Sequence, residues 1–359
     1  MDSPLAPQIL AIEVPLRSDP SVSRPVRVLS IDGGGVRGYL PALLLAEIER
    51  RAATPASRLF DLVVGTSTGG IISIGLAAGL SARSLADFYP THGRRIFGGA
   101  EEPVWKTRLL GTGGTFSERM GAAARRLGGP FGGNPDYGGN ARHRPDGLEG
   151  VLRDVLGDTM LSQAAMDIAI TSFDGLSATP VVFSRRDART DASWDLPLRD
   201  IARATSAAPT YFPPLKIDWV GRTCHFIDGG VWANNPSGIA VSESLILTAE
   251  RGLTGRSVFL VSLGTGTASA GAAFDGTSSW IGSAGDLVKT ATSVAAGELL
   301  ARRAVPEQNY RRLQVVDNRV AGAMDDPSSQ RLGVLKAAAG DLIRAKNADL
   351  VEIVARLVP

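Results

Sequence analysis

Leu62-Val63-Val64-Gly65-Thr66-Ser67-Thr68-Gly69-Gly70-Ile71-Ile72-Ser73 joins an apolar, β-branched run to a run of helical spacing through a serine flanked by glycines. Val63 and Val64 suit a buried strand, and Ile71, Ile72, Ile74, Leu76 and Leu80 continue an apolar helical face. A strand that turns through Gly-x-Ser-x-Gly into a helix is a nucleophile elbow. Its glycines, here Gly65 and Gly69, let the backbone bend sharply, and the serine hydroxyl stands free above the sheet. Ser67 is the serine so placed. The positive end of the following helix favours chemistry that builds negative charge there, as in a tetrahedral intermediate. In a chain with 42 glycines the pentapeptide alone carries little weight, so its strand and helix context decides the reading.

Residues 62–82 hold no charge and are long enough to span a bilayer, but glycines at 65, 69, 70, 75 and 79 favour a buried strand plus a buried helix. With 359 residues, 44% of them hydrophobic, the chain can bury a substantial core. A net charge of +2 does not call for a nucleic-acid polymer, and the single cysteine, Cys224, excludes an intrachain disulfide and fits a reducing cytoplasm. Residues 1–25 carry three acids and five prolines without the apolar core of a signal peptide, and read as a loose leader. Residues 26–359 read as one domain with a Gly/Arg-rich insertion at about 98–145 and a motif-poor helical part from about 284.

A strand over 28–31 runs into Asp32-Gly33-Gly34-Gly35-Val36-Arg37-Gly38, followed by an amphipathic helix over 41–51. With the strand before Ser67 this makes a βαβ unit. Two readings compete for the loop. Gly33-x-Gly35-x-x-Gly38 matches a dinucleotide fingerprint, which needs an acid at the end of the second strand; here Asp61 begins that strand and Ser67 ends it. Three consecutive glycines instead offer NH groups beside the serine, an oxyanion hole formed by Gly33, Gly34 and Gly35.

Further along, helices are expected over 81–97, 146–156, 198–208, 237–250, 286–303 and 335–357, and strands over 167–173, 180–183, 223–227, 257–263 and 312–316. The strand over 223–227 delivers Asp228 ahead of Gly229-Gly230, at a carboxyl strand end where ligands of open α/β sheets collect. Asn235 caps the helix that starts after it. Between residues 92 and 144, nine basic residues face four acids, interleaved with Trp105, Phe116 and Phe131. That mixture suits a membrane surface, an anionic effector, or an ordinary flap.

A serine nucleophile needs a base, yet no histidine follows His225, and His92 and His143 fall in or beside the irregular stretch. The composition argues for a Ser67–Asp228 dyad in which the carboxylate takes the serine proton directly. No metal-ligand spacing or EF-hand loop is present, so neither a metal nor another cofactor is expected.

The blocks Asp32-Gly-Gly-Gly-Val-Arg37-Gly38, Gly65-Thr-Ser67-Thr-Gly69 and Asp228-Gly229-Gly230 resemble the signature blocks of the patatin-like phospholipases. Ala204 to Pro214, Asn234-Asn235-Pro236 and Ser262 to Gly266 match supporting runs, so the likeness covers roughly residues 26–266. The resemblance implies a three-layer α/β/α fold with a mostly parallel sheet, a Ser67–Asp228 dyad, and phospholipid acyl-ester hydrolysis. It also implies Gly38, Gly65, Gly69, Gly229 and Gly230 as motif support, with Arg37 bracing the loop or approaching a lipid phosphate. The chain looks most like a bacterial cytosolic branch that includes phospholipase effectors of cyclic-oligonucleotide antiphage defence. That likeness implies a cyclic dinucleotide activator, peripheral contact with the inner membrane face, and a homo-oligomer. A constitutive hydrolase and a storage protein without enzymatic duty are the rival readings.

Overall fold

Alternation along the buried strands sends their side chains into two apolar layers, and that division builds the molecule. The computed structural model describes residues 24–98, 141–268 and 294–358. Its strands are β1 (Val26–Ile31), β2 (Leu62–Thr66), β3 (Asp167–Asp174), β4 (Thr179–Ser184), β5 (Leu215–Trp219), β6 (Arg222–Asp228), β7 (Val258–Leu263) and β8 (Tyr310–Leu313). They form one sheet in the order β5-β6-β3-β2-β1-β7-β8, with β4 also on β3. The five strands from β3 to β8 along that path are mutually parallel, whereas β4 and β6 run antiparallel to β3, and β5 to β6.

Leu29, Ile31, Val63, Ile170, Val261 and Leu263 point to one layer. Helices Tyr39–Ala52, Thr68–Ala77, Ala82–Phe97, Pro145–Leu156, Leu198–Thr205, Ser329–Ala345 and Asn347–Leu357 all contribute to it. Val26, Val28, Leu62, Val64, Ala169 and Leu260 point the other way, against helices Ser237–Glu250 and Ala295–Ala304. The result is the expected three-layer α/β/α sandwich with a mostly parallel sheet. The uncharged run 62–82 is β2, the elbow and a fully packed helix. Among the described residues no helix is long and apolar enough to cross a membrane.

Several boundaries differ from the sequence reading. The helix expected over 335–357 is two, Ser329–Ala345 and Asn347–Leu357, separated at Lys346 (φ −103°, ψ 26°); the Ser328 hydroxyl caps the first by accepting from the Arg331 NH at 3.1 Å. The last strand lies at Tyr310–Leu313 rather than 312–316. β5 was not anticipated, because only its last residue is buried and Pro213-Pro214 precede it, as suits an edge strand. Residues 1–23, most of the 98–145 insertion, and the first part of the helix expected over 286–303 lie outside the described residues.

Candidate active site

Ser67 sits between β2 and helix Thr68–Ala77 at φ 55°, ψ −124°. A non-glycine residue there is strained by about 1–3 kcal/mol, so its surroundings must hold it. The flanking glycines permit the close approach: a Cβ at Gly65 would lie 2.3 Å from the Gly69 carbonyl oxygen, and one at Gly69 would lie 2.2 Å from that of Ile31. The Ser67 NH donates to the Thr205 hydroxyl at 2.8 Å, and Thr205 is fully buried. Thr205→Val keeps the shape and orphans that NH, so it should destabilise the fold by about 1–3 kcal/mol, read as a lowered urea midpoint at unchanged m. An unchanged midpoint would mean the elbow is held by other contacts.

Asp228 reaches Ser67 by an arrangement of strands that parallel pairing alone cannot produce. Over residues 169–174, β4 occupies one flank of β3. On the other flank Thr171 pairs with Thr66 of β2, and the next residue, Ser172, pairs with Asp228 of β6. β2 and β6 therefore enter the same lane from opposite directions and meet end to end, with Ser67 leaving one tip and Asp228 the other. The sequence reading placed Asp228 at the carboxyl end of its strand near Ser67, and it lies there; the strand's direction was not read, since β6 is antiparallel to β3 and descends onto the elbow. Gly229 lies over Thr171, where a Cβ would be 2.3 Å from its hydroxyl oxygen.

The Asp228 carboxylate is buried. It accepts the Gly230 NH at 2.7 Å, and the Ser67 side chain stands close enough to pull its pKa down. Burial raises its pKa from 3.8 to about 6, against the opposing pull of those two groups. Deprotonated at neutral pH, it is a stronger base than an exposed carboxylate, as a proton acceptor for a serine should be.

The glycine loop lies against this pair, with the position of a Gly33 Cβ only 3.2 Å from the Ser67 Cβ. Its three NH groups are not equivalent. The Gly33 NH donates to the Asn234 carbonyl at 2.9 Å and so is engaged, whereas no described residue accepts from Gly34 or Gly35. Of the three NH groups that the sequence reading offered to an oxyanion, two are thus without an acceptor among the described residues. The loop is tied down by the Thr265 hydroxyl donating to the Gly33 carbonyl (2.6 Å) and by the Val36 NH donating to the Met324 carbonyl (2.7 Å). Arg37 donates to the carbonyls of Gly266 (3.2 Å) and Gly34 (3.4 Å), so its guanidinium is turned onto the loop backbone. Gly38 packs against Thr68 and the Tyr89 hydroxyl, which bond to each other.

The three histidines lie in different settings. His92 lies on helix Ala82–Phe97 against the Phe88 ring. His143 is buried, with Nε2 at 2.8 Å from an Asp325 carboxylate oxygen and Phe97 and Phe212 around its ring. His225 lies on β6, its NH donating to Asp174. The groups acting on the Asp228 carboxyl are Ser67 and Gly230. Among the described residues no cluster of three or more metal-ligating side chains occurs.

Sequence reasoning missed Thr205, Asn234 as a backbone acceptor, Thr265, Met324 and Arg312. Thr205 and Thr265 stand inside runs that the blocks already marked, whereas Arg312 and Met324 carry no local signal.

The family model described as patatin-like phospholipase matches residues 29–241, over half of the chain, including the glycine loop, the elbow and Asp228. Patatin-like protein 2 of Oryza sativa subsp. indica is 36% identical over 244 residues, 63% of this chain and 54% of the relative. Patatin-17 of Solanum cardiophyllum is 30% identical over 273 residues, 68% of this chain and 61% of the relative. The chain spans about half the length of the first of these. Among solved structures, VipD from Legionella pneumophila aligns with a TM-score of 0.40 at 12% identity, over 91% of this chain and 68% of that one. On the family match, and with all three signature blocks in place, the chain belongs to the patatin-like phospholipase family.

Proposed function

We propose that the protein is a lipid acyl hydrolase of the phospholipase A type working through a Ser67–Asp228 dyad. The observation that carries the reading is the end-to-end meeting of β2 and β6 in one lane beside β3, which brings the strained Ser67 to a buried carboxylate whose pKa is lifted to about 6. The Ser67 oxygen attacks the acyl carbonyl carbon while its proton passes to Asp228, and the NH groups of Gly34 and Gly35 hold the oxyanion. Collapse breaks the ester bond, and the leaving alkoxide takes the proton from Asp228. Water then attacks the acyl-serine, giving a proton to Asp228 that returns to Ser67 as the fatty acid leaves. Each oxyanion donor of this kind is worth ~10²–10³ in rate.

Fatty-acid release from phosphatidylcholine vesicles, with and without a chelator, tests the reading. Release should be chelator-insensitive, and His92→Ala and His225→Ala should hydrolyse at rates close to the parent. Loss of turnover on chelation, or in one folded histidine variant, would sink the dyad.

The finer proposal rests on the composition of residues 98–145. In it, this basic stretch contacts the inner face of the cytoplasmic membrane, and a cyclic dinucleotide raises activity through self-association in an antiphage role. The same assay with a panel of cyclic dinucleotides and with anionic vesicles separates that controlled enzyme from a constitutive one.

A further inference from the structure

We infer that Arg312, 71 positions beyond the last residue matched by the family model, is a positioning residue for the glycine loop. The inference rests on the proposed hydrolase reading. Arg312 lies on β8 in register with Ser262 of β7, which is in register with Ser30 of β1. Its guanidinium reaches across β7 to the carboxylate of Asp32, with one nitrogen at 2.9 Å from Oδ1 and a second on Oδ2. The pair is bidentate and buried, the side chains being 5% and 0% exposed.

Asp32 directly precedes Gly33, so this fork fixes the residue from which the loop departs. Below it a polar row completes the setting. Arg312 donates to the Ser262 hydroxyl at 2.7 Å, and the Ser237 hydroxyl lies 2.9 Å from that of Ser262 and 3.1 Å from that of Ser30. The other ties on the loop, from Thr265, Met324 and Arg37, engage carbonyl or NH groups. Among the described residues the tie through Arg312 is the ion pair made to the loop segment, and its hydrogen bonds are charge-assisted on both sides. A lysine offers a point charge where the fork needs two parallel donors. Arg312 therefore sets where the Gly34 and Gly35 NH groups stand relative to Ser67, without touching substrate.

The test compares Arg312→Lys and Arg312→Met with the parent on a soluble short-chain ester, with active sites counted by fluorophosphonate labelling so that unfolded protein does not enter the rate. The expected result is a kcat per labelled site lowered about 10–100-fold with KM nearly unchanged, and Lys recovering only part of the loss. If Arg312→Met does not fold, the Asp32→Asn/Arg312→Met double variant, which removes both buried charges, should fold and keep the low kcat. Parental kcat per site in Arg312→Lys, or in the double variant, overturns the positioning role. Absence of turnover in the parent, or parental turnover in Ser67→Ala, would instead remove the hydrolase reading beneath it.

Discussion

Ser67→Ala is expected to lower ester hydrolysis by about 10⁴-fold or more while leaving the fold intact. The backbone at Ser67 is held by contacts the substitution spares, namely the NH bond to Thr205 and the close packing of Gly65 and Gly69. Circular dichroism and the urea midpoint should therefore stay near the parent, and labelling by a fluorophosphonate should disappear. Turnover within tenfold of the parent would show that the elbow serine is not the nucleophile, since removal of a nucleophile is not compensated by oxyanion donors alone.

Asp228→Asn should be nearly as damaging, about 10³-fold or more, because an amide can hold the serine in place but cannot take its proton. The pH dependence separates this from a loss of geometry. In the parent, kcat/KM should rise with pH through about 6 as Asp228 gives up its proton, and in Asp228→Asn that limb should be gone. Stability moves in the opposite sense. The folded protein binds this proton more tightly than the unfolded chain, whose aspartate titrates near the ordinary value of 3.8. The contribution from Asp228 is thus favourable below pH 3.8 and is lost as pH rises through about 6. Removing the charge should therefore stabilise the folded state at pH 8 by about 3 kcal/mol relative to the parent, with little difference at pH 4. An unchanged acid limb, or equal stability of the two proteins at pH 8, would show that the buried carboxylate is not the titrating base.

The elbow was legible because its determinants are local. A β-branched run, two glycines that no side chain could replace, and an apolar helical start all fall within twelve residues, and Ser67 duly takes the strained φ. The sandwich was read through the resemblance of the signature blocks to a known family, and in the structure side-chain alternation along β1, β2, β3 and β7 divides one apolar layer from the other. What failed was local in sign and weak in strength. β5 is an edge strand with little burial to mark it, and the break at Lys346 separates two helices by a single backbone turn that no glycine or proline announces.

The sequence by itself determined the family blocks, the serine at the strand-to-helix turn, and the absence of a histidine in the chain order that a triad would need. Only the tertiary structure decided how Asp228 comes to Ser67, because a strand's partner and direction depend on which flank of β3 is free. β4 occupies one flank, so antiparallel β6 must enter the lane where β2 ends, and two residues 161 positions apart meet tip to tip. Tertiary structure also decided which glycine NH groups remain available, since the Asn234 carbonyl that takes the Gly33 NH lies 201 positions away. It decided as well that the motif-poor end of the chain supplies Arg312 and Met324 to the loop. A local pattern reports the backbone conformation a segment prefers; the partner of each hydrogen-bonding group is set by packing between segments far apart in the chain.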